Sequence, residues 1–193
     1  MVSPSPVETG WLRTWSQPLA AKDGRRFTLR LLRKDDVELL AEYFLGLSDT
    51  TKMLYAPHPF DRETAEKLCA EDDSSTLRFV TVEEARPPRL ASYFIVFLTL
   101  RPGDAARYTD LPVEDTAELA PSVRDDLQST GLGSLLMPHL LEVSRRCGMR
   151  RMVLCGGVQA RNRRGFHFYQ KWGFVKVREF PSQIMNYDMV RDL

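Results

Sequence analysis

Seven residues, Gln128-Ser129-Thr130-Gly131-Leu132-Gly133-Ser134, constrain this chain more than any other stretch. They separate a strand-like segment from the apolar run Leu135-Leu136-Met137, where a helical pattern begins. Glycine permits positive φ and lets a ligand approach the backbone closely. Successive N–H groups in such a turn, at the positive end of a helix, form a concave site for anions. The implied ligand carries phosphate. The other reading of the same glycines is a plain tight turn.

The 193 residues are enough for one domain with a substantial core. Residues 1–22 hold Pro4, Pro6, Pro18 and Gly10 among polar residues and read as an irregular arm, pinned by Trp11 and Trp15. Residues 23–193 read as the single domain. A net charge of +1 gives no global field for nucleic acid or an acidic membrane. Cys69, Cys147 and Cys155 are scattered and odd in number, which opposes a disulfide framework and suits a reduced, cytoplasmic setting. His58, His139 and His167 show no ligand spacing, so no metal is expected. No apolar run reaches the roughly 18 residues of a membrane span.

Alternation of Phe27, Leu29 and Leu31 predicts a strand over 26–32, and Lys34-Asp35-Asp36 opens a helix to about Phe44. The stretch 55–60 reads as a loop and 61–70 as a helix. Strands are expected over 77–82 and 90–100, joined as a hairpin through Pro87 and Pro88. A long loop over 101–115 follows, then a strand over 116–124 interrupted by Pro121, which a regular central strand does not tolerate. A helix over 133–147 ends at Gly148. A strand at 151–155, a helix at 163–171 and strands at 174–178 and 184–190 complete a mixed α/β order without the alternation of a doubly wound fold.

A second motif lies downstream: Asn162-Arg163-Arg164-Gly165-Phe166-His167-Phe168-Tyr169-Gln170-Lys171-Trp172-Gly173-Phe174. Together the two stretches resemble the GNAT superfamily of acyl-CoA-dependent N-acyltransferases. That family reads Gln/Arg-x-x-Gly-x-Gly/Ala at its pyrophosphate turn and later Asn-x-x-Ala-x-x-x-Tyr-x-x-x-Gly-Phe. Gln128, Gly131 and Gly133 fit the first pattern; Asn162, Tyr169, Gly173 and Phe174 fit the second, with Gly165 where alanine is usual. The segments Lys34-Asp35-Asp36 and 117–133 also resemble GNAT domains of bacterial protein-lysine acetyltransferases.

The resemblance implies a mostly antiparallel mixed sheet, splayed at the cofactor site and flanked by helices, and the splay would account for Pro121. It implies acetyl-CoA as co-substrate, a primary amine as acceptor and direct attack in a ternary complex. The backbone of Ser122 and Val123 would meet pantetheine, Gln128, Ser129, Thr130, Gly131, Leu132, Gly133 and Ser134 the pyrophosphate, and Asn162 either pantetheine or the helix end. Tyr169 would serve the departing sulfur, and Glu118 would be the base. Many relatives dimerise.

Chemistry gives these roles content. A lysine-like amine is mostly protonated at neutral pH, and recovering the neutral form costs about 4–5 kcal/mol. A positioned base offsets part of this. An apolar setting would raise a glutamate toward the working range, whereas a Glu118 on the solvent side of its strand would be ordinary; Glu114 and Asp115 are the fallback carboxylates. A phenol stays protonated at neutral pH and can donate to a thiolate, though Tyr169 between Phe168 and Trp172 also reads as core. Arg161, Arg163 and Arg164 either meet adenosine phosphates or form a solvated face, and Cys155 reads as a structural thiol. Two other functions are a non-catalytic acyl-CoA sensor and an RNA-binding module; the balanced charge opposes the second.

Overall fold

A computed structural model describes residues 9–55 and 57–193. Nine strands and six α-helices occur among them: β1 (Ser16–Ala20), β2 (Arg26–Leu31), α1 (Val37–Gly46), α2 (Asp49–Leu54), α3 (Arg62–Ala70), β3 (Thr76–Glu83), β4 (Arg89–Phe97), α4 (Pro102–Ala105), β5 (Thr116–Val123), α5 (Leu132–Arg146), β6 (Arg151–Leu154), β7 (Val158–Gln159), α6 (Arg163–Lys171), β8 (Val175–Pro181) and β9 (Met185–Asp192). The fold is mixed α/β, with a largely antiparallel open sheet flanked by helices. The described residues divide into two compact units, one of 9–95 and 121–138, the other of 96–120 and 139–193.

In the first unit β1, β2, β3 and β4 lie side by side in chain order. The register places Leu19 opposite Phe27 and Phe27 opposite Glu83, so alternate residues of β2 face the core. Buried Ser92 on β4 donates to Thr81 on β3 at 2.7 Å, satisfying two hydroxyls that burial would otherwise penalise. The entry to α1 is fixed by Asp36. Its carboxylate takes both terminal nitrogens of buried Arg30, at 2.6 and 2.7 Å, and the Arg33 N–H at 2.8 Å.

In the second unit the opening of β5 runs parallel to β6, with Glu118 opposite Val153, as a strand–helix–strand connection through α5 allows. β9 is antiparallel to β6, β7 and β8. The segment after β4 packs Leu100 and Tyr108 on Val153, with Ala105, Leu111 and Val190 around them.

Several expectations need correction. Ser16–Ala20, read as part of an irregular arm, is a strand; Pro18 is tolerated because, among the described residues, β1 has a neighbour on one side alone. Residues 1–8 of that arm lie outside the described residues. The helix α2 was not foreseen: Ser48 caps it, its Oγ accepting the Thr51 N–H at 3.2 Å. The long loop 101–115 contains α4, started by Pro102, whose missing N–H costs nothing at a helix N-terminus. The hairpin strand stops at Phe97, although Leu98 and Leu100 stay buried.

Candidate active site

In the first unit, the chain leaves β5 through a short 3-10 turn, Asp125–Leu127, and reaches Gln128. Ser129 has φ 63° and Gly131 φ 95°, so two left-handed residues flank Thr130 before α5 begins at Leu132. Alternation of hand can turn N–H groups to one side, as in an anion cradle; the Gln128 and Thr130 N–H groups, however, donate to the Asp125 and Leu127 carbonyls at 3.3 and 3.4 Å. Buried Leu127 and Leu132 pin the turn at both ends, while Ser129, Thr130 and Gly131 are exposed. A side chain at Gly131 would have open space around its Cβ, so the positive φ alone disfavours other residues there.

The side chains near the turn do structural work. Gln128 Nε2 donates to the Thr51 hydroxyl and to the Val123 carbonyl, each at 3.0 Å. Asp125 accepts from the Ser48 N–H at 2.9 Å, the Ser48 hydroxyl at 2.6 Å and the Thr51 hydroxyl at 2.7 Å. Burial alone would raise the Asp125 carboxyl, but these bonds outweigh it and hold it below the usual range. The Ser122 hydroxyl bonds the buried Tyr43 hydroxyl at 2.8 Å. The sequence reading missed Ser48, Thr51 and Asp125, which carry no spacing signal because their partners lie more than 70 residues away.

In the second unit Glu118 on β5 is fully buried, so it is not on the solvent side of its strand. Arg101 donates to it twice, from the backbone N–H to Oε1 and from Nε to Oε2, the latter at 2.9 Å. The same guanidinium reaches the Cys155 sulfur, lies 3.8 Å from Asp104 and stacks 4.5 Å from the centre of the Phe97 ring. Asp104, also buried, accepts the Gly156 N–H at 3.0 Å and pairs with Arg107, which continues to buried Asp188 at 3.1 Å. Burial, followed by the charge of Asp104, pushes the Glu118 carboxyl up to about 7, against the pull of the Arg101 bonds. Burial pushes the Cys155 thiol up to about 12.

Asp104, Glu118 and Cys155 each offer a donor atom within 4.8 Å of the others, a grouping of metal-ligand character. The cation among them is the guanidinium of Arg101. The fallback carboxylate Asp115 is tied instead to Arg151 at 3.5 Å.

Tyr169 sits on α6, half-buried, with its ring edge-on to Phe168 and Phe174 at 5.4 and 5.7 Å. Burial, with Cys155 nearby, holds its hydroxyl above the usual phenol range, so it stays protonated at neutral pH. Cys155 is therefore a neighbour that Glu118 and Tyr169 share. Asn162 caps α6, its Oδ1 accepting the Gly165 N–H at 2.9 Å. A Cβ on residue 165 would lie 2.6 Å from Asn162 Nδ2, which accounts for glycine there. Arg161 is held by Gln159 at 2.9 Å. The sequence placed Arg101 and Asp104 in a loop; Pro102 was the available sign of a helix that fixes both.

Comparisons with known proteins bear on the family and the fold. The family model described as the Acetyltransferase (GNAT) family matches residues 47–174. The L-amino acid N-acyltransferase MnaT of Escherichia coli (strain K12) is 27% identical over 155 residues, covering 80% of this chain and 83% of that protein. The GNAT domain of S. lividans PAT superposes with a TM-score of 0.75 at 20% identity, covering 93% of this chain and 97% of that one. The ribosomal-protein-S5-alanine acetyltransferase of Vibrio fischeri superposes with a TM-score of 0.70 at 12% identity, covering 91% and 96%.

Proposed function

The chain belongs to the GNAT acetyltransferase family and is an acyltransferase, and from that premise we propose that it moves an acetyl group from acetyl-CoA to a primary amine by direct attack in a ternary complex. The observation that carries this reading is the buried Glu118, held near neutrality in its affinity for a proton.

In this reading the N–H groups of the 128–134 turn hold the pyrophosphate, and the backbone of Ser122 and Val123 meets pantetheine. Gln128 braces the turn, since its side-chain amide bonds Thr51 and Val123 and its backbone N–H donates to the Asp125 carbonyl at 3.3 Å. Asn162 acts as helix cap, keeping α6 and therefore Tyr169 in place. The amine nitrogen attacks the thioester carbonyl and passes its proton to Glu118. The tetrahedral adduct then expels the CoA thiolate, to which the Tyr169 hydroxyl donates. Much of the acceleration comes from holding the two reactants together.

The acceptor is a protein amine or a small-molecule amine; the name of the Escherichia coli relative supports an amino acid. We place the protein in the cytoplasm on its odd, scattered cysteines. One observation favours a different reading, an acyl-CoA sensor without chemistry: both Glu118 oxygens are engaged by Arg101. Calorimetric titration with acetyl-CoA and CoA, on the wild type and on Gly131→Trp, tests the binding half. Micromolar binding abolished by the substitution supports the turn as the site; absence of binding to the folded wild type removes the reading. Thiol release across a library of amines then separates enzyme from sensor.

A further inference from the structure

The group around Glu118 contains a second carboxylate that the proposed mechanism leaves without a role. Asp104 is 3% exposed, and one of its oxygens lies within 4.8 Å of both Glu118 and Cys155. The groups facing Glu118 are Arg101 and Asp104 from α4 and its start, and Cys155 from the turn after β6; behind them stand Arg107, Asp188 and, beyond Cys155, Tyr169. Three buried carboxylates, Asp104, Glu118 and Asp188, thus meet two guanidiniums, Arg101 and Arg107. Arg178 touches this group only through the Arg107 carbonyl and is exposed. The three buried carboxylates outnumber the two partly exposed guanidiniums by one, and a bound proton relieves the excess.

We propose that Asp104 is a positioning residue for the base: it shares a buried cage with Glu118, and its charge sets the pH at which Glu118 is free to accept the proton of the amine. The inference rests on Glu118 acting as that base. The geometry decides which carboxyl holds the proton. Asp104 is anchored by the Gly156 N–H and Arg107 in addition to its contact with Arg101, so donors from three residues meet its oxygens. Glu118 accepts from Arg101 at both oxygens and, when protonated, can donate to Asp104. Like charges a few ångströms apart separate into one ionised and one protonated group, titrating as a pair. The structure thereby supplies a glutamate that is protonated just below neutrality and ready to cycle.

The test compares the pH dependence of kcat/KM for wild type and Asp104→Asn, with carboxyl-carbon NMR of the wild type between pH 4 and 9. Loss of the Asp104 charge should move the acidic limb down by about one pH unit or more, and in the wild type the Asp104 resonance should respond as Glu118 titrates. A merely structural Asp104 would lower activity equally at every pH, leaving the limb where it was. An unmoved limb in a folded variant overturns the proposal. Should the variant not fold, a wild-type Asp104 resonance with no inflection where Glu118 titrates overturns it equally. A wild-type kcat for Glu118→Gln would remove the base reading instead, while the paired titration measured in the wild-type protein would stand, so the two failures are distinguishable.

Discussion

Arg101 holds Glu118 by both oxygens, with its backbone N–H on one and its Nε on the other. The residue that starts α4 therefore fixes the carboxylate of β5. Arg101 donates two hydrogen bonds to the charged form, but burial and Asp104 outweigh it.

The first prediction concerns chemistry. Glu118→Gln retains shape while losing the basic oxygen, and should lower kcat by roughly 10²–10⁴-fold, the usual contribution of a positioned base. Acetyl-CoA affinity should stay within about threefold if the cofactor is bound by the 128–134 backbone. Steady-state kinetics with calorimetry on the same preparation checks both.

Tyr169→Phe should reduce kcat by about 10²-fold with little change in acceptor KM, since the hydroxyl acts on the departing sulfur alone. Replacing the thiol-leaving donor by one with a more acidic leaving group should shrink that deficit. A deficit of the same size with both donors would assign Tyr169 to packing between Phe168 and Phe174.

Stability should depend on pH with a known sign. Glu118 rises from the usual 4.5 to about 7 on folding, so between those values the folded chain holds a proton that the unfolded chain has lost. Its contribution is fully present below about 4.5, declines as pH rises through 7, and is constant above. His58, whose affinity for a proton is lowered by burial among Phe44, Phe60 and Tyr93, acts in the opposite direction. The comparison is therefore wild type against Glu118→Gln in urea melts at pH 5 and 8. The variant should gain relative stability at pH 8 by on the order of 2–4 kcal/mol.

Asp125→Ala removes the acceptor of three hydrogen bonds from Ser48 and Thr51. A loss of about 1–2 kcal/mol follows, because Thr51 is buried whereas the exposed Ser48 donors can turn to water. The KM for acetyl-CoA should rise while kcat is less affected, because the tie between the turn and α2 is reduced to the Gln128–Thr51 bond. Unchanged KM would show that the turn holds its shape without α2.

Gly165→Ala should weaken the α6 cap, with a cost of about 1 kcal/mol. Asn162→Ala should cost a similar amount, and the double variant should cost less than the sum, since the incoming methyl no longer meets Asn162 Nδ2. Thermal denaturation of the three variants provides the cycle.

Much of this was legible in the sequence, and the limits have physical causes. The 163–171 helix was readable because Asn162 caps it and its apolar residues recur at helical spacing. The turn at 128–134 was readable because its glycines sit between a strand and an apolar run. Arg101, Asp104 and Asp125 were not, because their roles arise from partners far along the chain: Arg101 meets Cys155 at a separation of 54 residues, and Asp125 meets Ser48 at 77. The strand β1 was hidden by Pro18, which disfavours a central strand but not an outer one. Burial of Glu118 was also beyond local pattern, since alternation tells which residues share a face but not which face is covered.

β9 pairs with β6, β7 and β8, and all three precede it in the chain. Those strands are made before their common partner exists. Until residues 185–192 emerge, their edges are open templates for pairing with other chains. A chain that has not yet docked β9 thus exposes strand edges that the finished sheet covers.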